Sequence, residues 1–375
     1  MKITMDAWAA LWYRGSGMGT YSYQLMRSLY LLNQNNENEY DFILPQGLCE
    51  YAQNPVDSPV FQSLSCAKEF FWEALLEERV CPQNCDVFHI PHNGIGFPLK
   101  VSYPVIVTVH DLIPYIMPET VGQGYLQIFL EEMPVILEKA AHIIAVSENT
   151  KKDLIDIMGV APAKITTGYE AAENIYKPLQ KQAVKNFLTE KYGIKGPYIL
   201  YLGGFGPRKN VSGLLNAFAE LCRDIGDYKL LLAGKHTPAF KLLVKQAAKL
   251  DLGDKIRFLG FVPMCDMPYL YNGAELFVYP SLYEGFGLPP LEAMRCGTPT
   301  IVADSSSLPE IVGEGALKVK AGDSCALAQA MFGLLTNKIE RQELALSGRC
   351  VAGRYSWAKA AVQTLRVYEK SGLST

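Results

Sequence analysis

Two glutamates with seven residues between them, Glu284 and Glu292, bound the run Glu-Gly-Phe-Gly-Leu-Pro-Pro-Leu-Glu. The apolar stretch that precedes them, Leu276-Phe-Val-Tyr-Pro280, reads as a buried parallel strand. Gly285 and Gly287 then permit a tight turn and a close approach of backbone to a ligand. Pro289 and Pro290 suit the first turn of a helix, and Gly297 suits its end. Strand, glycine turn and helix place the N–H groups of Gly287 and Leu288, in the same turn as Phe286, at a helix N-terminus. Such a terminus favours an anion, and phosphate above all. Carboxylates on both sides would repel that phosphate, so they must serve other groups. Sugar hydroxyls are their natural partners. The arrangement suits a phosphate with a sugar on each side, which is a nucleotide sugar.

The longer pattern, Glu284-Gly-Phe-Gly-Leu-Pro-x-x-Glu292-Ala-Met-x-x-Gly-x-Pro299, resembles the signature of glycosyltransferase family 4. That family comprises retaining, metal-independent enzymes of the GT-B fold. The resemblance implies that Glu292 accepts from ribose hydroxyls and Glu284 from hydroxyls of the transferred sugar. Four further segments gain roles through it. Gly15, Gly17 and Gly19 follow the first expected strand and precede a helix, where a plain turn is the bland alternative. They are similar to the family's N-terminal glycine loop, which faces the donor phosphate. His110 and Asp111 end the strand Val105–Val109. Carried over, His110 contacts the transferred sugar, with its main-chain carbonyl near the anomeric carbon. Asp111 is left between capping its own loop and meeting the acceptor.

The third segment is Tyr201-Leu-Gly-Gly-Phe-Gly-Pro-Arg-Lys-Asn210. Lys209 resembles the family lysine that meets the donor pyrophosphate as a compact point charge. The family often has an arginine directly after the first glycine, where this chain has Gly204. Arg208 is the substitute the sequence offers. Asn210 is expected to cap the next helix. In the fourth segment, Phe258–Pro263, the resemblance lays Phe261 and Val262 against the nucleotide base through their backbone. No Asp-x-Asp occurs in the chain. Neutralisation of the leaving diphosphate is therefore expected from Lys209, Arg208 and helix dipoles, with no metal and no cofactor.

The elements that must position these residues follow from the hydrophobic pattern. Strands are expected at 3–8, 40–44, 60–65, 86–90, 105–109, 142–146 and 164–167, with helices at 19–32, 68–80, 123–140 and 149–158. The pattern weakens over 174–196 and then resumes, with strands at 198–202, 229–232, 256–259, 276–279, 300–303 and 317–319. Two α/β series in tandem imply two Rossmann-like parallel-sheet domains. We expect an acceptor-binding domain over 1–173, a linker over 174–196 and a nucleotide-sugar-binding domain over 197–355. An amphipathic helix at 356–371 closes the pattern, and the resemblance implies that 356–375 packs back on the first domain.

A length of 375 residues with half of them hydrophobic is enough for two cores. The net charge of −3 hides an asymmetry. Residues 1–175 hold 10 Lys+Arg against 21 Asp+Glu, a net of −11, and residues 176–375 hold 25 against 17, a net of +8. A positive second half suits an anionic donor. An acidic first half argues against nucleic acid and against a broad basic face for lipid, although association with a membrane surface stays open. Nine cysteines, odd in number and without metal-ligand spacing, read as reduced thiols of a cytoplasmic protein. No signal-peptide pattern or membrane-length apolar run is seen. The resemblance implies a hexosyltransferase acting on a glycan, lipid-linked or small-molecule hydroxyl. Pro-Arg-Lys-Asn with Glu-Gly-Phe-Gly-Leu-Pro resembles the mannosyl- and rhamnosyl-type members of polysaccharide pathways, which favours GDP-mannose as donor with UDP-sugars next. A different GT-B enzyme such as a nucleotide-sugar epimerase, and a non-catalytic nucleotide-sugar-binding protein, are the alternatives.

Overall fold

The computed structural model describes residues 1–12, 15–33, 37–43, 82, 84–235 and 240–372. The strand expected at 60–65 and the helix expected at 68–80 lie outside the described residues. The chain divides into two compact units, Met1–Glu170 with Ser356–Thr375, and Ala171–Tyr355. Residues 174–196 lie within the second unit. There Lys181–Tyr192 is a helix that buries Val184 and Leu188, and Gly193 ends it in the left-handed conformation.

The first unit holds a six-stranded parallel sheet. Its strands are β1 (Lys2–Asp6), β2 (Glu39–Ile43), β3 (Val87–Ile90), β4 (Val105–Val109), β5 (His142–Ala145) and β6 (Ile165–Thr167), in the order β2-β1-β3-β4-β5-β6. All residues of β3 and β4 are buried, as expected of strands covered on both faces. Helix Gln123–Lys139 buries Phe129, Met133, Ile136 and Leu137, a stripe at i, i+4, i+7 and i+8. Those side chains share a core with Val105, Val107 and Val109 of β4. Helix Trp357–Gly372 belongs to this unit and packs on helix Gly17–Leu32.

The second unit repeats the plan. Its strands are β7 (Tyr198–Leu202), β8 (Lys229–Ala233), β9 (Ile256–Gly260), β10 (Leu276–Tyr279), β11 (Thr300–Asp304) and β12 (Leu317–Lys320), parallel and in the order β12-β11-β10-β7-β8-β9. The chain winds outward from β7 through β8 to β9, then returns to the other side of β7 with β10. The topological switch point therefore lies between β7 and β10. The carboxyl ends of strands at a switch point are where open α/β sheets bind ligands. In the first unit the same logic puts the switch point between β1 and β3. No helix among the described residues is long and apolar enough to cross a membrane.

Candidate active site

Two of the three expected segments of the second unit meet at its switch point. The loop after β7 carries Arg208 and Lys209 on a short 3-10 turn, Pro207–Lys209. The loop after β10 carries Glu284. Lys209 Nζ donates to Glu284 Oε1 at 2.5 Å and to Tyr279 Oη at 2.8 Å, and Tyr279 Oη donates to the same Oε1 at 3.0 Å. Arg208 Nη1 lies 3.1 Å from that oxygen and also donates to the Tyr283 carbonyl. One carboxylate oxygen thus holds both cations. Leu282 N donates to the Arg208 carbonyl at 2.8 Å, which ties the two loops together through their backbones. Burial opposes ionisation of Glu284, but the Lys209 and Arg208 charges outweigh it and hold the carboxyl at about 2, from an ordinary 4.5.

The turn after Glu284 is fixed by serines. Glu284 N donates to Ser306 Oγ at 2.8 Å, and Ser307 Oγ donates to the carbonyls of Glu284 and Phe286 at 2.9 and 2.8 Å. Gly287 stands at φ 115°, open to glycine and strained for other residues, and starts helix Leu288–Cys296. Pro289 and Pro290 supply no N–H, so the first turn offers an anion fewer donors than a helix normally does. Phe286 is buried, edge-on to Tyr355 with ring centroids 6.1 Å apart. Glu292, expected on ribose, lies within the helix and is buried, accepting from Tyr271 Oη at 2.8 Å.

Gly204, the position that departs from the family pattern, has open space where a side chain would begin. Its carbonyl accepts from Tyr201 Oη at 2.5 Å. Asn210 precedes helix Val211–Leu221 in the left-handed conformation at φ 51°, and its side chain makes no cap hydrogen bond. The expected cap is replaced by packing: a Cβ on Gly213 would lie 2.6 Å from Asn210 Oδ1. Beyond β9, Phe261 is 44% exposed and Val262 is buried. The exposed ring has Lys235 Nζ 5.8 Å from its centroid.

In the first unit, helix Gly17–Leu32 begins two residues earlier than expected. Gly17 and Gly19 are therefore in its first turn rather than ahead of it. Ser16 is the N-cap, and its Oγ accepts from Gly19 N at 3.2 Å, so that amide is engaged by the cap. The signal for this was legible: a serine among three glycines before an apolar periodic run is an N-cap pattern. Asp111 Oδ1 accepts from Ile113 N at 3.0 Å, which caps the turn that follows β4.

His110 follows β4 directly and is 6% exposed. Its Nε2 lies 2.9 Å from the Pro91 carbonyl and its Nδ1 lies 3.2 Å from Glu170 Oε1. Its backbone is held as tightly: N donates to Asn93 Oδ1 at 2.7 Å, and the carbonyl accepts from Thr150 Oγ1 at 3.1 Å. Burial lowers the ring's affinity for a proton, yet the bond to Glu170, its charge and the Pro91 carbonyl reverse the sign and raise it. Glu170, three residues past β6, was not marked by any local pattern. Neither was the buried pair of His92 Nε2 and Asp6 Oδ2, 3.1 Å apart, which stands at this unit's switch point between β3 and β1. Among the described residues, no group of three or more His, Cys, Asp or Glu is placed to hold a metal ion.

Residues 184–349 match the family described as glycosyl transferases group 1, and residues 16–170 match glycosyltransferase family 4. O-antigen chain mannosyltransferase B of Escherichia coli is 32% identical over 285 residues, covering 76% of this chain and 74% of that protein. The serotype-specific mannosyltransferase WbdA of Escherichia coli is 31% identical over 267 residues, covering 70% of this chain. The aligned part is 33% of WbdA, so the chain spans about a third of that relative's length. Sucrose-phosphate synthase of Thermosynechococcus elongatus superposes with a TM-score of 0.75 at 20% identity, covering 100% of both chains.

Proposed function

Since the chain belongs to glycosyltransferase family 4, we propose that it transfers mannose from GDP-mannose to a hydroxyl of a growing glycan or lipid-linked acceptor, with retention at the anomeric carbon. The two E. coli relatives, both named as mannosyltransferases, support the sugar and the glycan acceptor. The observation that carries the chemistry is the triad at the second switch point, in which Lys209 and Arg208 share Glu284 Oε1. Two cations beside a helix N-terminus suit a diphosphate, and a carboxylate held ionised suits sugar hydroxyls as donors to it.

The donor's diphosphate takes the two cations, and Glu284 takes hydroxyls of the sugar in their place. The sugar then leaves the phosphate from the face that the acceptor approaches. Charge builds on the departing oxygen, and Lys209 and Arg208 stabilise it more in the transition state than before it. The same oxygen receives the acceptor's proton. Glu292 and the backbone at Phe261 and Val262 hold the nucleoside, and His110 and Asp111 serve the sugar and acceptor side. The reaction needs no metal, and turnover in excess EDTA equal to that in Mg²⁺ is the expected result.

A thermal-shift panel of GDP-mannose, UDP-, ADP- and dTDP-sugars tests the donor. A ligand at about a hundred times its Kd adds about 2.7 kcal/mol of stability. GDP-mannose should give the largest shift, and proton NMR of the product should show the donor's anomeric configuration. A larger shift with a UDP-sugar would move the assignment to that donor, and an inverted product would end the retaining reading.

A further inference from the structure

We propose that Glu170 is a positioning residue for the transfer reaction: it keeps a proton on His110 Nδ1, so that the ring donates from both nitrogens and locks the carboxyl end of β4. The proposal rests on the reading that this strand end serves the transferred sugar.

The geometry begins with the segment after β6. Gly168 N donates to the Ala145 carbonyl at 2.8 Å, which keeps this segment on β5 beyond the last paired residue of β6. A Cβ on Gly168 would lie 2.8 Å from Ile144 Cγ2, so the approach is close. Two residues later Glu170 lies 3% exposed with its carboxylate on the His110 ring. The other ring nitrogen faces the Pro91 carbonyl, which only accepts. Nε2 must therefore carry a hydrogen. Beside an ionised Glu170, a neutral ring would present Nδ1 as a bare acceptor to a carboxylate oxygen, and two acceptors repel. A second proton, on Nδ1, turns the clash into a charge-assisted hydrogen bond. Burial raises the Glu170 carboxyl as well, against the pull of His110, so the rival arrangement keeps the shared proton on the carboxyl, and the two differ in whether Nδ1 is protonated.

The consequence for function is mechanical as well as electrostatic. The doubly donating ring pins Pro91, two residues before Asn93, to the residue that follows β4. Asn93 has φ 60° and in turn fixes His110 N. Thr150 fixes the carbonyl from helix Glu148–Asp156. With both nitrogens committed, the ring is not available as a proton acceptor. What it offers the reaction is a main-chain carbonyl in one place. The titratable groups around it are Glu170, Asp111, His89 and Tyr21, whose ring meets the imidazole edge-on at 5.0 Å. Of these only Glu170 contacts Nδ1.

The chain has five histidines, so long-range nitrogen–proton NMR of histidine-labelled protein reads each ring separately. His110 should be protonated on both nitrogens near neutral pH in the wild type, and singly protonated in Glu170→Gln. An unprotonated Nδ1 in the wild type would overturn the proposal without any variant. In kinetics, Glu170→Gln should lower kcat about tenfold or more with the donor KM little changed. Its alkaline limb should move to lower pH, because a ring with a weakened partner loses its proton sooner. Glu170→Asp should restore part of the rate. A variant that matches the wild type at every pH would sink the assignment. If no nucleotide sugar is turned over at all, the functional reading falls, and the NMR result still decides the state of His110.

Discussion

Lys209 and Arg208 share one carboxylate oxygen, and this bears on what each does for a diphosphate. A leaving diphosphate gains about one unit of negative charge, and a helix N-terminus offsets about half a unit. Two cations are therefore better matched to it than one. Lys209→Ala should lower kcat/KM by about a hundredfold or more, about 2.7 kcal/mol, with the fold retained. Arg208→Ala should weaken donor binding and turnover nearly as much. Arginine at Gly204 in that background should recover part of the loss, since the position has open space for a side chain. Steady-state kinetics with a donor titration decides this, and an Arg208→Ala enzyme with wild-type turnover would leave Lys209 as the sole cation. The sequence marked Glu284 through its spacing to Glu292, and Lys209 through its resemblance to the family lysine. It could not orient Arg208, because neighbours on a short turn can point apart and only the fold shows both reaching Glu284. It could not find Glu170 either, because that residue lies 60 positions from His110 and nothing in its own surroundings marks it.

At the scale of elements, the loop after β7 is held where it is by the strand beside it. Gly203 N donates to the Ala233 carbonyl at 2.9 Å, and Gly234 follows β8 with no room for a side chain. A Cβ there would lie 1.9 Å from the Gly203 carbonyl oxygen, a backbone atom that cannot turn aside. Gly234→Ala must push the phosphate loop away from β8. It should cost about 2 kcal/mol or more in thermal unfolding and raise the donor KM, whereas Gly204→Ala, with open space and no left-handed backbone, should fall within about 0.5 kcal/mol of the wild type. Equal behaviour of the two alanine variants would show that the loop is free to shift. Elements of this kind were the most legible part of the chain. Apolar runs and glycine turns marked both sheets, and strand ends agreed within a residue or two over β7 to β12. Helix starts were less so: the glycines near residue 17 looked like a loop, and a serine cap drew them into a helix instead.

For the whole molecule, the two units should respond differently to acid. In the first unit His89 is buried between Tyr368 Oη at 2.6 Å and Thr108 Oγ1 at 2.8 Å, and burial, then the neighbouring His92, lowers its pKa from 6.5 to about 3. The unfolded chain therefore binds a proton that the folded unit refuses, and stability falls as pH drops from about 6.5 towards 3. In the second unit Glu284 is held at about 2 from 4.5, so its contribution, of order 3 kcal/mol, is lost only as pH falls through 4.5 towards 2. The first unit should unfold at the higher pH. The described tryptophans, Trp8, Trp12 and Trp357, lie in helices of that unit, and none of the four in the sequence falls between 171 and 355, so tryptophan fluorescence does not report the second unit, while far-UV circular dichroism reports both. The fluorescence transition should precede a second dichroism transition on acidification, and coincident transitions would contradict the ordering.

Helix Trp357–Gly372 has a further bearing, on how the protein is made. It seats Tyr368 against His89 and Trp357 against Tyr21, whose rings are 5.8 Å apart, so it completes the core of a unit whose other residues precede 171. On the ribosome, residues 1–170 emerge first and wait. The second unit is one continuous stretch and can fold as it leaves the tunnel, while the first keeps a gap over helix Gly17–Leu32 until residue 372 is free. The half that is translated first is thus finished last. Stalled nascent chains whose exposed part ends soon after residue 355, the tunnel being filled by a linker, should show a protease-resistant second unit beside a digestible first one, and extension of the exposed chain past 372 should protect both.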